Sequence, residues 1–143
     1  MDDFFLRPEQ RTPERFAEIG GNFDRERFAD EVLSSLRAKG DISYRPFDCS
    51  TRRLGEMMTL APKRLTVVEG VYSMHPAFGR YYDLSVFLDI DAETQKKRIS
   101  IRNSPELVKR FFEEWIPLEN TYFEKTDIKN RTDLVITVKE QNR

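Results

Sequence analysis

Three short apolar runs, rich in β-branched residues, set the limits on what this chain can fold into: LTVV at 65–68, LSVFLDI at 84–90 and LVITV at 134–138. Each has the length of a strand covered on both faces and is too short for a buried helix. Helical patterns separate the second run from the third. Strands alternating with helices imply βαβ units, so the expected class is α/β with a parallel sheet.

The helical patterns carry their own punctuation. Asp24 stands where an N-cap is needed, ahead of Phe28, Ala29, Val32, Leu33 and Leu36 at helical spacing, and Gly40 offers a stop. Asp91 is placed to cap a basic helix over about 92–102. Ser104-Pro105-Glu106 opens the next one with a cap, a first-turn proline and an acid at the positive dipole end. Val108, Phe111, Phe112, Trp115, Tyr122 and Phe123 form its apolar stripe, and Pro117 is expected to kink it. The two prolines of 7–16 mark a loop. Residues 42–60, with Pro46 and Gly55 inside, read as a hairpin. There is no internal repeat and no low-complexity segment, so residues 1–143 are expected to form one domain.

Charge and composition exclude several functions. Lys plus Arg number 24 and Asp plus Glu 25, for a net charge of −1. Nucleic-acid binders carry a basic excess, so neither nucleic acid nor an anionic membrane surface is an expected partner. One cysteine and one histidine cannot form a Cys/His metal cluster or an intrachain disulfide. No apolar run approaches membrane-spanning length, and MDDFFLRPEQ has no signal-peptide pattern, which makes the cytoplasm the expected compartment. A core of modest apolar content is compensated by 11 Phe, 5 Tyr and 1 Trp.

Ligands of an open parallel sheet gather at the carboxyl ends of its strands. Acids occur at three such places: Asp2/Asp3, Glu69 and Asp89/Asp91. On extended backbone Asp2 and Asp3 point to opposite faces, so one alone can enter a crevice, as a general base or beside a magnesium-bound water. A solvated pair at a chain end is the plainer alternative. Glu69, directly after LTVV and before Gly70, reads either as a ligand for magnesium or its water beside a phosphate, or as a cap of the next turn. Arg98 and Arg102, four apart, share a helix face with the geometry to fork phosphate oxygens; a solvated basic face is the alternative. His75 reads as a loop or packing residue.

Taken in order, Met1-Asp-Asp-Phe-Phe5, Asn22-Phe-Asp24, Phe47-Asp48, Val67-Val-Glu-Gly70 and Phe87-Leu-Asp-Ile-Asp91 with Arg98 and Arg102 resemble the uridine kinases, within the phosphoribulokinase-like P-loop kinases. The resemblance extends from Met1 to about Val138. It implies transfer of the γ-phosphoryl of ATP or GTP, with Mg²⁺, to the 5′-hydroxyl of a nucleoside such as uridine or cytidine. It further implies Asp2 as the acid that takes the hydroxyl proton and Asp24 as the acid on the ribose hydroxyls. Phe47 and Arg52 fall on the side of the base, Glu69 near magnesium, and Arg98 and Arg102 in a lid around 92–104. Two acids, a magnesium ion and lid arginines are the parts that positioning and charge neutralisation of a phosphoryl group require.

Three departures accompany the resemblance, the first being that the lid run Thr94-Gln-Lys-Lys-Arg98 has lysines where the family has arginines. The run Phe47-Asp-Cys-Ser-Thr-Arg52 differs from the family's pattern at the base, and no G-x-x-x-x-G-K-[ST] occurs in the 143 residues. The chain is therefore expected to be an N-terminally truncated P-loop kinase-like domain lacking the first strand, phosphate loop and first helix. The alternatives are a non-catalytic remnant that binds a nucleoside or partner, and a kinase for another small alcohol. Each leaves room for a homo-oligomer.

Overall fold

The computed structural model describes residues 1–138 and resolves them into two compact units, Met1–Tyr81 and the described residues from Tyr82 onward.

The first unit is held by aromatic rings. Asp2–Phe4 is a 3-10 turn, not the extended stretch expected, and places Phe4 in the core. Phe4 stacks on Tyr44 at 5.4 Å between centroids and meets Phe28 edge-on at 5.2 Å. Phe23 stacks on Tyr72 and Phe28 lies 5.2 Å from Phe78. Edge and offset contacts of this kind add to the burial of each ring.

The proline-marked stretch also turns out to be helical. Pro8–Gln10 is a 3-10 turn and Pro13–Ala17 is helix α1, capped by Thr12, whose side chain accepts from the Arg15 amide. Proline in a first turn loses only an N–H that has no partner there, so both prolines open helical turns instead of breaking them.

The Asp24 cap starts α2 (Arg25–Phe28), which runs through a π turn at Ala29–Leu33 into α3 (Ser34–Ala38). The stop is Lys39 in the left-handed conformation, one residue before Gly40. A long hairpin follows. Its outer rungs pair β1 (Ile42–Tyr44) antiparallel with β4 (Met58–Leu60), Tyr44 facing Met58. Its inner rungs pair β2 (Phe47–Asp48) with β3 (Arg53–Leu54).

Residues 65–68 overturn the first strand expectation. They join no ladder, and Leu65 and Val67 are 78% and 76% exposed. Apolar periodicity marks a segment suited to a sheet interior, but a strand exists only where a neighbour supplies backbone partners. No described segment does so here.

In the second unit, β5 (Val86–Asp89) pairs in parallel with β6 (Leu134–Thr137). Ser85 and Asp133 set the register: the Ser85 amide and hydroxyl donate to Asp133 Oδ2 at 2.8 and 2.6 Å, and the Asp133 amide donates to Ser85 Oγ at 3.0 Å. Both strands were expected to be covered. Instead all four β6 residues are exposed, as are Val86 and Leu88, because the ladder has two strands and no third beside it among the described residues.

Between the strands, α4 (Ala92–Arg102) is capped by Asp91, which accepts from the Thr94 amide at 2.8 Å, and α5 (Pro105–Arg110) by Ser104. A π turn at Phe111–Trp115 leads to α6 (Ile116–Thr126). The expected kink at Pro117 is thus a widened turn just ahead of it. The wider turn brings Pro117 into the opening of α6, where its missing N–H costs least. Tyr122 has no exposed surface and packs with Phe123, which meets Phe87 at 5.3 Å.

Candidate functional site

Asp24 is the most enclosed acid in the first unit, with 1% exposure. Its amide donates to the Phe4 carbonyl at 2.9 Å, and Phe5 bridges to Phe23. The acid is therefore laid directly beside the Asp2–Phe4 turn, 20 residues away in sequence. Its two carboxylate oxygens have different work. Oδ1 accepts from the Arg27 amide at 3.2 Å as the helix cap. Oδ2 lies 3.5 Å from Arg27 Nε and 3.8 Å from Arg7 Nε, with no hydrogen-bond partner among the described residues. The cap and the free oxygen coexist on one side chain, so neither reading of Asp24 displaces the other.

The turn separates Asp2 from Asp3. Asp2 is exposed; Asp3 is half-buried and accepts from the Tyr44 hydroxyl at 3.0 Å. Burial raises the Tyr44 phenol above its usual range, and the Asp3 hydrogen bond and charge raise it further. The separation expected from an extended backbone is delivered by a 3-10 turn instead. Of the two acids, Asp2 keeps its carboxylate in the open.

Glu69 is exposed, but its backbone joins the same corner. The Met1 amino group donates to the Glu69 carbonyl at 2.7 Å. Gly70 permits the approach: its φ is +131°, and a Cβ there would sit 2.6 Å from Met1 Cβ. Asp2 and Glu69 are each one residue from, or part of, this contact.

Phe47 is buried, with the Arg11 guanidinium 5.8 Å from its ring centroid. Arg52 lies exposed at the hairpin tip with φ +56°. Asp48 shapes that tip by accepting from Ser50 Oγ at 2.6 Å and the Ser50 amide at 2.8 Å. The Ser50 hydroxyl first, then its amide, hold the Asp48 carboxyl down to about 2. Arg98 and Arg102 stand exposed on α4 of the second unit, one turn apart.

One residue escaped the sequence reading: Arg27, buried at 8% exposure inside the α2 pattern. An arginine amid Phe28, Val32 and Leu33 was a visible anomaly, but nothing in its neighbours indicated what it holds. His75 is a packing residue as read. Its Nδ1 accepts from the Ala77 amide at 3.2 Å and its Nε2 faces the Ile19 carbonyl at 3.1 Å, which makes Nε2 the protonated nitrogen. Burial lowers its pKa.

No helix among the described residues is long and apolar enough to cross a membrane. No group of three or more His, Cys, Asp or Glu among them forms a metal cage.

No protein-family model matches the chain, and no curated protein matches it. Among solved structures, it is similar to one described as a possible uridine kinase from Bacillus stearothermophilus. The TM-score is 0.68 at 20% identity, covering 95% of this chain and 68% of that one. At that identity the likeness is one of fold: a mixed α/β chain with a uridine kinase-like backbone.

Proposed function

We propose that residues 1–143 carry the acceptor side of an ATP- or GTP-dependent nucleoside kinase, with a uridine-type nucleoside as acceptor. The observation that carries the reading is Asp24 Oδ2, a buried carboxylate oxygen without a hydrogen-bond partner, set beside the turn that exposes Asp2. A buried acceptor of this kind is costly unless a donor arrives, and vicinal ribose hydroxyls are suitable donors. The uridine kinase-like fold supports the same reading.

In this mechanism Asp24 holds the ribose hydroxyls, and Asp2 takes the proton of the 5′-hydroxyl as its oxygen attacks the γ-phosphorus, whose bond to the β–γ bridging oxygen breaks to release the nucleoside diphosphate. Tyr44 keeps Asp3 out of that role by occupying its Oδ2. Phe47 packs beneath the acceptor from the hairpin, and Arg52 reaches toward the base. Glu69 would hold magnesium through water, and the ion supplies charge neutralisation at the phosphates. In the second unit, Arg98 and Arg102 on α4 are the guanidiniums suited to fork phosphate oxygens. The G-x-x-x-x-G-K-[ST] that would cradle the β- and γ-phosphates in backbone N–H groups does not occur in residues 1–143.

Calorimetric titration tests this. Uridine or cytidine is expected to bind the chain, and ribose alone weakly. ATP is expected to bind poorly without the phosphate cradle. Binding of ATP with no nucleoside binding would overturn the assignment of the acceptor side. A non-catalytic nucleoside binder is the second reading, favoured by the missing G-x-x-x-x-G-K-[ST]; a phosphorylation screen on the protein with its upstream coding region separates the two.

A further inference from the structure

We infer that Arg27 is the positioning residue of the acceptor site, fixing the Asp24 carboxylate relative to the Asp2–Phe4 turn and the hairpin. The inference rests on the acceptor reading above and adds a residue to it.

Arg27 ties its own helix to two other chain segments through one guanidinium. Nη2 donates to the Asp3 carbonyl at 2.6 Å, and Nη1 to the Arg45 carbonyl at 2.6 Å and to Glu31 Oε2 at 3.1 Å. Nε faces Asp24 Oδ2 at 3.5 Å, and the plane lies over the Phe4 ring, 4.3 Å from its centroid. Asp3 follows Asp2, and Arg45 precedes the Pro46-Phe47 corner. The segments that present the general-base candidate, the ribose acid and the hairpin wall are thus gauged from one rigid fork.

The remaining geometry explains why the fork matters for binding as well as for packing. Arg27 Nε and Asp24 Oδ2 oppose each other without forming a hydrogen bond, and neither atom has another hydrogen-bond partner among the described residues. The positive charge holds the carboxylate in place, yet leaves Oδ2 able to accept from an incoming hydroxyl. Lysine cannot replace this arrangement. Its single ammonium carries the charge but cannot span the Asp3 and Arg45 carbonyls while facing Asp24.

The test compares uridine with dideoxyuridine, which lacks both ring hydroxyls and so makes no use of Asp24. The unaltered chain, Arg27→Lys and Asp24→Asn are titrated with each nucleoside at a temperature where circular dichroism shows all three folded. Arg27→Lys is expected to weaken uridine by about tenfold or more, the scale of a charge-assisted hydrogen bond, and to leave dideoxyuridine unchanged. Glu31→Gln, which removes a charge but keeps an amide oxygen able to accept from Arg27 and the Arg45 amide, is expected to keep the discrimination. Equal weakening of both nucleosides, or an undiminished preference for uridine in Arg27→Lys, overturns the positioning role alone. An unaltered chain that binds both nucleosides equally, or neither, overturns the acceptor reading and this inference with it. A measurement on the unaltered chain needs no variant to fold: the Arg27 Nε resonance is expected to shift with uridine and not with dideoxyuridine. A resonance unmoved by uridine overturns the inference.

Discussion

The Tyr44 hydroxyl donates to Asp3 Oδ2 at 3.0 Å, joining the first strand of the hairpin to the opening turn across 41 residues. The same tyrosine ring stacks on Phe4, so one side chain secures the turn by both a polar and an apolar contact. Tyr44→Phe keeps the stack and removes the hydrogen bond. It is expected to destabilise the chain by about 0.5–1.5 kcal/mol, read from urea unfolding. A loss near zero would mean that water replaces the hydroxyl at no cost.

Asp24 caps α2 through Oδ1, and the proposed binding task falls to Oδ2, so two substitutions divide the two. Asp24→Ala removes the cap and the counter-charge of buried Arg27, with an expected cost of about 2–4 kcal/mol. Asp24→Asn retains an acceptor at the cap and is expected to cost less while still weakening uridine. If both variants lose stability alike and bind uridine unchanged, Asp24 is a cap and nothing more.

Asp2 is exposed, so its replacement should leave stability alone. In the protein supplied with a phosphate cradle, Asp2→Asn is expected to lower turnover at least about a hundredfold, the low end for a general base, with little change in acceptor affinity. A near-native rate would remove Asp2 from that role.

Burial holds His75 neutral, with its pKa below the ordinary 6.5. The unfolded chain therefore takes up a proton first as pH falls through 6.5, and stability declines below that value until the folded state also protonates. Thermal melts from pH 8 to pH 5 should show the decline, and His75→Gln should flatten this part of the profile. The neighbouring charges Arg15, Arg25 and Glu26 are present in both proteins and drop out of the comparison. Parallel profiles would show that other groups govern the slope.

Asp133 bonds Ser85 at the head of β5 and β6 and so fixes Val86 opposite Leu134. Asp133→Ala leaves the Ser85 amide and hydroxyl without their acceptor, and an expected loss of about 1–3 kcal/mol follows. Hydrogen exchange should quicken first at the β6 amides. Unchanged protection there would show that side-chain packing alone sets the register.

Short-range features of this fold were legible because their causes lie within a few residues. Asp24, Asp91 and Ser104 cap helices at the positions their sequence contexts require, since a cap needs only an oxygen and an amide two or three residues on. The acid at the end of an N-F-D run and the exposed arginine pair on α4 were visible for the same reason. What a residue meets across the fold was not. Periodicity marked 65–68 as strand, but it carries no information about whether a neighbouring strand is there to pair with it. It marked β5 and β6 as covered when two strands alone leave their faces open. Prolines 8 and 13 read as loop markers because a helical first turn and a loop place the same demand on φ. Which of Asp2 and Asp3 stays open, the span of Arg27 from Asp3 to Arg45, and the enclosure of Asp24 Oδ2 without a hydrogen bond were decided by tertiary structure alone. Each depends on segments 18 or more residues apart brought together by a core of aromatic rings, and ring packing fixes distances that no local spacing encodes.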